Sequence, residues 1–298
     1  MRFSLVVSTR ERTKELLGLI RSLTDQTWRD FELIIADQNE DGRVADLLPT
    51  LSPAFPLVRV PSGAGLSRGR NDALALAQGE IIGFPDDDCE YPPALLANVS
   101  AFFDQHADYG FLSGRSFAED GRDSVSKHAK EAGEIARGTI HRQCIEFALF
   151  VRRDAMGATR FDEAMGVGAP TPWHSDEGPD FLLRLMAKGV RGYYDPAFGV
   201  FHPRPMAQLD AKALDRTYRY ACGNGYFYRK HGYSNWYFAK KMARTSCGLL
   251  LALARFRPQL AKLYLTRLRG CWRGWNAEIA AAGAHDGQPA IGKGSIAR

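Results

Sequence analysis

Apolar and polar residues alternate in blocks along the first ninety positions, and the period changes from block to block. Residues 3–8 (FSLVVS) form the short apolar run that a buried strand leaves in a sequence. Over 11–24, Leu16, Leu17, Leu19, Ile20 and Leu23 recur at roughly helical spacing. A second apolar run at 32–36 (ELIIA) ends in Asp37, and 57–60 predicts a third strand. Residues 66–77 read as a helix that stops at Gly79. Residues 80–84 (EIIGF) predict a fourth strand, which runs directly into Pro85, Asp86, Asp87 and Asp88. Strand–helix units joined by short loops imply an α/β fold, a mostly parallel sheet flanked by helices on both faces. In such sheets the ligand sits beyond the carboxyl ends of the strands. Three of those ends here are polar or acidic: Ser8-Thr9, Asp37, and the three aspartates.

The middle of the chain is less regular. Residues 119–138 are polar and lack apolar periodicity, so they read as an exposed excursion. Residues 144–152 (CIEFALFVR) predict a strand, 180–188 a helix, and 191–194 and 198–202 short strands around Asp195-Pro196. From about 210 the texture turns helical, basic and aromatic. The pattern divides the chain into an α/β body at 1–205, a helical module at 206–280, and a small-residue flexible tail at 281–298.

Composition narrows the class. With 45% hydrophobic and 24% charged residues among 298, the chain is neither disordered nor collagen-like. The longest apolar stretch in the helical module, 247–254, is far too short to cross a bilayer. The N-terminus does not read as a cleaved signal peptide. Five scattered cysteines without a CxxC pair argue against a disulfide scaffold or zinc site and fit a reducing, cytoplasmic setting. The net charge of +5 hides an asymmetry. Residues 211–276 hold fourteen Lys and Arg against Asp215 as the single acid, so the rest of the chain is net acidic. Thirteen aromatics share that segment. Apolar helical faces with Arg/Lys flanks and interfacial Trp and Tyr are the composition of helices lying on an anionic membrane surface. Packing of these helices on the body is the competing structural reading, and nucleic acid a competing partner.

The candidate chemistry begins at the aspartates. Adjacent carboxylates repel, so their clustering calls for a cation or full solvation. On an extended chain Asp86 and Asp88 point to the same side, and hard oxygen ligands suit Mg²⁺ or Mn²⁺ bridging to phosphate. The segment GLSRGRN (65–71) opens a helix whose free amides and arginines suit an anion. The segment WHSDEGPDF (173–181) brings three acids to a predicted helix start, where they serve either as caps or as a general base. His202, at the end of VFHP, becomes a plausible third metal contact once a carboxylate cluster exists.

Together these residues resemble a known family. The run VVSTRERTKELLGLIRSLTDQT followed by FELIIAD looks like the opening of a bacterial family 2 glycosyltransferase of the GT-A fold. GLSRGRNDALALAQGEIIGFPDDD resembles that family's Gly…Arg-Asn…Gly-Glu stretch and its Asp-X-Asp motif. GVGAPTPWHSDEGPDFLLRLMAKGVRGYYDPAFGVFHP resembles its acceptor-side acidic motif and closing histidine. The similarity covers about 1–205 in order. It implies transfer of a sugar from a nucleoside diphosphate donor, most often of uracil, usually with inversion, onto a glycan or lipid-linked acceptor in cell-surface polysaccharide synthesis. Carried over by position, Ser8, Thr9 and Arg12 would line the nucleotide pocket and Asp37 would hydrogen-bond the base. Arg70 would approach the nucleotide or diphosphate, Asp86 and Asp88 would hold the ribose and the metal–diphosphate, and His202 would be a further metal contact. Two departures stand out. Asp37 is followed by Gln38-Asn39 where the family has a second acid and a glycine, and Gly178 takes the place of the family's aspartate. The base is then Glu177 first, Asp180 second, or Asp176 if the loop shifts. Gly178 also keeps open a non-catalytic nucleotide-sugar binder. A nucleotidyltransferase would need a Gly-rich phosphate loop, and residues 8–12 (STRER) contain no glycine. A nucleic-acid-binding protein would leave the acidic strand ends unexplained, so no nucleic acid partner is expected.

Overall fold

The computed structural model describes residues 1–204 and 209–279. The tail expected at 281–298 lies outside the described residues. In chain order the elements are β1 (Phe3–Thr9), α1 (Thr13–Thr24), β2 (Phe31–Asp37), α2 (Arg43–Leu47), β3 (Leu57–Pro61), α3 (Leu66–Leu74), β4 (Ile81–Gly83) and α4 (Leu95–Gln105). There follow β5 (Phe111–Ser113), β6 (Ser116–Phe117), β7 (Gly133–Glu134), α5 (Ile140–Gln143), β8 (Leu149–Arg152), α6 (Arg153–Met156), α7 (Glu177–Ala187), β9 (Gly192–Tyr194) and β10 (Val200–Phe201). Three longer helices close the described chain: α8 (Ala211–Lys230), α9 (Asn235–Ala254) and α10 (Pro258–Trp275).

Eight strands form one sheet in the order β3-β2-β1-β4-β8-β5-β9-β7, and β6 pairs with β10 beside it. The four strands of the first half are mutually parallel, with Thr9 opposite Asp37 and Asp37 opposite Pro61. Their polar ends therefore emerge on one edge. β8 enters antiparallel between β4 and β5.

Alternation along β1 sorts the core into two layers. Phe3, Leu5 and Val7 join Leu33 and Ile35 of β2 against Leu16, Leu19, Ile20 and Leu23 of α1 and Leu96 and Val99 of α4. Val6, with Ile34 and Ala36, faces the other way against Ala73 and Leu74 of α3 and Phe181, Leu182 and Leu185 of α7. Tyr226, Phe227, Tyr228 and Phe238 belong to this second layer, so the basic helices share a core with the α/β body. α8 and α10 approach backbone to backbone. A Cβ at Gly225 would overlap the Cys271 carbonyl, and one at Gly274 would overlap that of Cys222.

Several expectations change in detail. α3 ends at Leu74 rather than 77. Residues 144–152 do not form one strand: a 3-10 turn at Glu146–Ala148 precedes the four residues of β8. The excursion at 119–138 contributes β7 to the sheet edge and buries His128 and Ile135, because Ser116 supplies a hydrogen-bond partner for the imidazole and Ile135 reaches the second core layer.

Candidate functional site

Thr9 closes β1, Asp37 closes β2, and the three aspartates follow β4, so parallel register alone gathers them at one edge. Thr9 Oγ1 donates to Asp87 Oδ2 at 2.8 Å. Arg12 Nη1 donates to Asp87 Oδ1 at 3.0 Å and to Asp88 Oδ2 at 2.6 Å. Arg70 reaches across from α3 and donates through Nη2 to Asp86 Oδ1 at 3.0 Å. Its side chain is 1% exposed, and its Nη1, buried without a hydrogen-bond partner among the described residues, lies 3.6 Å from Glu177 Oε1.

His202 arrives from far downstream through the backbone. Glu90 and Phe201 exchange amide hydrogen bonds at 3.0 and 3.1 Å, which carries the end of β10 to the aspartates. Its Nε2 lies 3.2 Å from Asp88 Oδ1, and its Nδ1 donates to the Pro203 carbonyl at 2.7 Å. Phe147 stacks on the ring at 4.8 Å. Ligand atoms of Asp86, Asp88 and His202 all lie within 4.8 Å of one another. Two carboxylate oxygens and an imidazole nitrogen whose partner nitrogen is anchored to a carbonyl suit a divalent cation such as Mg²⁺ or Mn²⁺.

The electrostatics follow from burial against pairing. Burial raises the pKa of Asp86 despite Arg70, and raises Asp87 to about 6 despite Arg12. For Asp88 burial is outweighed by His202 and Arg12, which hold it below the ordinary carboxylate value. Burial disfavours the charged imidazole of His202, but Asp88 and Asp86 outweigh it and raise its pKa.

Asp37 and Ser8 occupy the other wall. The Asp37 carboxylate is fully covered and accepts from Arg59 Nε at 2.7 Å, from the Asn39 amide at 3.0 Å and from Asn39 Nδ2 at 2.7 Å. Asn39, where the family pattern differs, thus holds Asp37 together with Arg59. Ser8 sits under α3 because Gly69 has no Cβ: one placed there would overlap Ser8 Oγ.

The acids of α7 diverge. Asp176 caps nothing with its side chain. It lies at φ 65° and accepts from His141 Nε2 at 2.7 Å, Ser175 Oγ at 2.5 Å and Asn224 Nδ2 at 3.2 Å. Glu177 points to Arg70, and burial followed by the charge of Glu146 pushes its pKa up to about 8. Asp180, three residues further along the helix, is fully buried among different partners. Arg184 Nε lies 2.9 Å from it, Lys230 Nζ 2.6 Å and His231 Nε2 2.8 Å. Burial opposes its charge, but His231, Lys230 and Arg184 outweigh burial and lower its pKa. The structure therefore brings Ser8, Thr9, Arg12, Asp37, Arg70, Asp86, Asp88, His202 and Glu177 to the strand-end edge and its rim, and engages Asp180 elsewhere. Glu146 escapes a reading of the sequence because it lies inside an apolar run. Its one trace there is the glycine at 178.

α8 holds this acid loop in place. Trp173 and Tyr226 stack with ring centroids 4.9 Å apart, and Ser175 Oγ donates to the Tyr220 carbonyl at 2.8 Å. A Cβ at Gly223 would come within 2.6 Å of the Ser175 amide nitrogen.

The family model for glycosyl transferase family 2 matches residues 4–163. The chain belongs to that family. Among family relatives, the uncharacterized glycosyltransferase YfnE of Bacillus subtilis is 31% identical over 100 residues, 33% of this chain and 26% of YfnE, so the chain spans about a quarter of that relative's length. The mannosyltransferase PcManGT of Pyrobaculum calidifontis, solved with GDP-Man and Mn²⁺, superposes with a TM-score of 0.61 at 15% identity, over 93% of this chain and 88% of that one. Residues 1–349 of Staphylococcus aureus TarS, solved with UDP-GlcNAc, give 0.57 at 17% identity over 91% and 89%. Both likenesses cover more than nine-tenths of this chain and show a GT-A-like fold.

Proposed function

We propose that this chain is an inverting, metal-dependent transferase that moves a sugar from a nucleoside diphosphate, with UDP the first candidate, to a hydroxyl of a glycan or lipid-linked acceptor in cell-surface polysaccharide synthesis. The observation that carries this reading is the Asp86, Asp88 and His202 group on one side of Arg70, with Glu177 on the other. The nucleotide pocket is assigned to Ser8, Thr9, Arg12 and Asp37, where β1 and β2 end. Asp86, Asp88 and His202 would hold Mg²⁺ or Mn²⁺, which as a Lewis acid would stabilise the charge of the departing diphosphate. Arg70 and Arg12 add fixed positive charge to the same region. Glu177, with its raised pKa, fits a general base working near neutral pH, and its place across Arg70 from the aspartates suits attack from the face opposite the leaving group. Complexes of TarS with UDP-GlcNAc and of PcManGT with GDP-Man and Mn²⁺ support a nucleotide-sugar donor and a divalent ion. Asp180, already paired with Arg184 and Lys230 and hydrogen-bonded to His231, is the weaker candidate for the base.

The same reading puts the protein at the inner face of the membrane, by peripheral contact. Among the described residues no helix is long and apolar enough to cross a membrane. Yet Trp236, Leu250, Leu253, Phe256 and Trp272 stand exposed on α9, α10 and their junction, Phe256 at 92%, with Arg255 and Arg257 beside them. That surface fits an anionic lipid interface, where each nearby Lys or Arg contributes about 1 kcal/mol. Binding to anionic liposomes that is lost at high salt supports this contact; failure to bind at any salt concentration overturns it.

The first experiment is a melting-temperature panel with UDP, GDP and CDP, and sugars of each, with and without Mn²⁺. A ligand that binds the native state alone raises its stability by about 2.7 kcal/mol at one hundred times its Kd. Stabilisation by one diphosphate only when Mn²⁺ is present is the expected outcome. No response to any nucleotide by the folded protein overturns the reading.

A further inference from the structure

We infer that Glu146 supplies the second carboxylate of the acid site, occupying the volume that a side chain at position 178 would take and acting together with Glu177 on the acceptor hydroxyl. The inference rests on the transferase reading above. Its starting point is Gly178, in the first turn of α7. A Cβ built there would overlap Oε1, Cγ and Cδ of Glu146, so a side chain at this position requires the Glu146 side chain to leave its place. The glycine marks a carboxylate delivered by another element. Glu146 Oε1 also accepts the Gly178 amide at 3.1 Å, one of the free donors at the start of the helix.

The delivery route is specific. Glu146 opens the 3-10 turn that leads into β8, and β8 pairs with β4 through Gly83 and Phe150, directly before the aspartates. Its neighbour Phe147 stacks on His202. Glu146 thus comes from the sheet side and Glu177 from the helix side, and the two meet beside Arg70. Arg70 Nη1, buried and without a hydrogen-bond partner among the described residues, lies 3.6 Å from Glu177 Oε1, and the charge of Arg70 favours the ionised form of both acids. Burial raises the pKa of each, and the charge of Glu146 adds to the rise at Glu177, as expected for two carboxylates that share a site. In the transfer step the acceptor oxygen forms its bond to the anomeric carbon. The bond from that carbon to the diphosphate oxygen breaks, its electron pair leaving with the diphosphate. The hydroxyl proton passes to the carboxylate pair.

A helix cap alone would explain the hydrogen bond at Gly178, so the test separates capping from proton transfer. The probes are UDP-GlcNAc and GDP-mannose with Mn²⁺, with water as acceptor and release of the nucleoside diphosphate as readout. Wild-type protein that releases neither diphosphate overturns the transferase reading itself, before any variant is compared. Given wild-type turnover, Glu146→Gln keeps the volume and an oxygen for the Gly178 amide. It is expected to retain its melting temperature and KM while kcat falls at least tenfold. Gly178→Asp alone is expected to lower the melting temperature, and Glu146→Ala alone to lose kcat. The double variant Glu146→Ala/Gly178→Asp, with an acid now growing from the helix into the emptied volume, is expected to recover both. Undiminished kcat in Glu146→Gln reduces Glu146 to a cap and overturns the inference. A double variant that regains its melting temperature but turns over no faster than Glu146→Ala overturns it as well.

Discussion

Glu177 and Asp180 lie three residues apart on one helix, both buried, and their surroundings push them in opposite directions. Glu177 meets another carboxylate and one shared arginine, and its pKa rises to about 8. Asp180 meets Arg184, Lys230 and His231, and its pKa falls below the ordinary carboxylate value. Burial acts on both, so the difference lies in the partners. An acid starved of cations is suited to accepting a proton near neutrality, whereas one saturated with cations ties helices together. A charge run in a sequence cannot announce which of the two it holds.

The contrast is open to direct attack. Glu177→Gln is expected to lower turnover by about 10²- to 10⁴-fold, the usual weight of a general base, with donor binding nearly unchanged. Near-normal turnover in that variant would erase the distinction. Asp180→Asn should remove the buried charge shared by Arg184, Lys230 and His231 and cost about 3–5 kcal/mol in urea unfolding, while the molecules that remain folded keep their turnover. Asp88→Ala should fold normally and lose the Mn²⁺-dependent part of donor stabilisation, about 2.7 kcal/mol at one hundred times the Kd. If Mn²⁺ still raises the melting temperature of the donor complex, Asp88 holds no metal.

The smallest effect is in pH, and its sign differs between the two acids. The raised pKa of Glu177 gives a contribution to stability that is complete below its ordinary value of 4.5 and lost as pH rises through about 8. Glu177→Gln lacks that loss, so its melting temperature should gain on wild type between pH 5 and pH 8.5. The lowered pKa of Asp180 gives a contribution present above its ordinary value of 3.8 and lost in acid. The deficit of Asp180→Asn should therefore shrink as pH falls. Matched profiles for the two variants would show that the environments do not differ as described.

The strand-end half of the site, proposed to hold the nucleotide, was legible because it is local. Each of β1, β2 and β4 writes its burial as an apolar run, and parallel register does the rest, setting Thr9 against Asp37 without long-range information. His202 was legible as a candidate partner of the aspartates, but its route to Asp88, the bridge between Glu90 and Phe201, was not. The acid half was least legible. Residues 144–152 look like one strand because Glu146 sits among apolar neighbours, yet a 3-10 turn there sends its side chain to α7. The basic helices misled in the opposite way. Their charge set them apart as a separate module, while Tyr226, Phe227 and Tyr228 face the shared core.

Those helices also set the order in which the site is finished as the chain is made. The aspartate edge draws on residues of the first ninety positions, and His202 follows after about two hundred. The loop bearing Glu177 is braced by Tyr226 against Trp173 and by Gly223 against Ser175, and α8 is itself braced by Gly274 of α10. At synthesis rates of about 5–20 residues per second, the residues proposed to bind the donor emerge roughly 10–40 seconds before the last brace of the acid loop. On the proposed assignment, a nascent chain completes the residues that meet the nucleotide before it has the geometry to spend it.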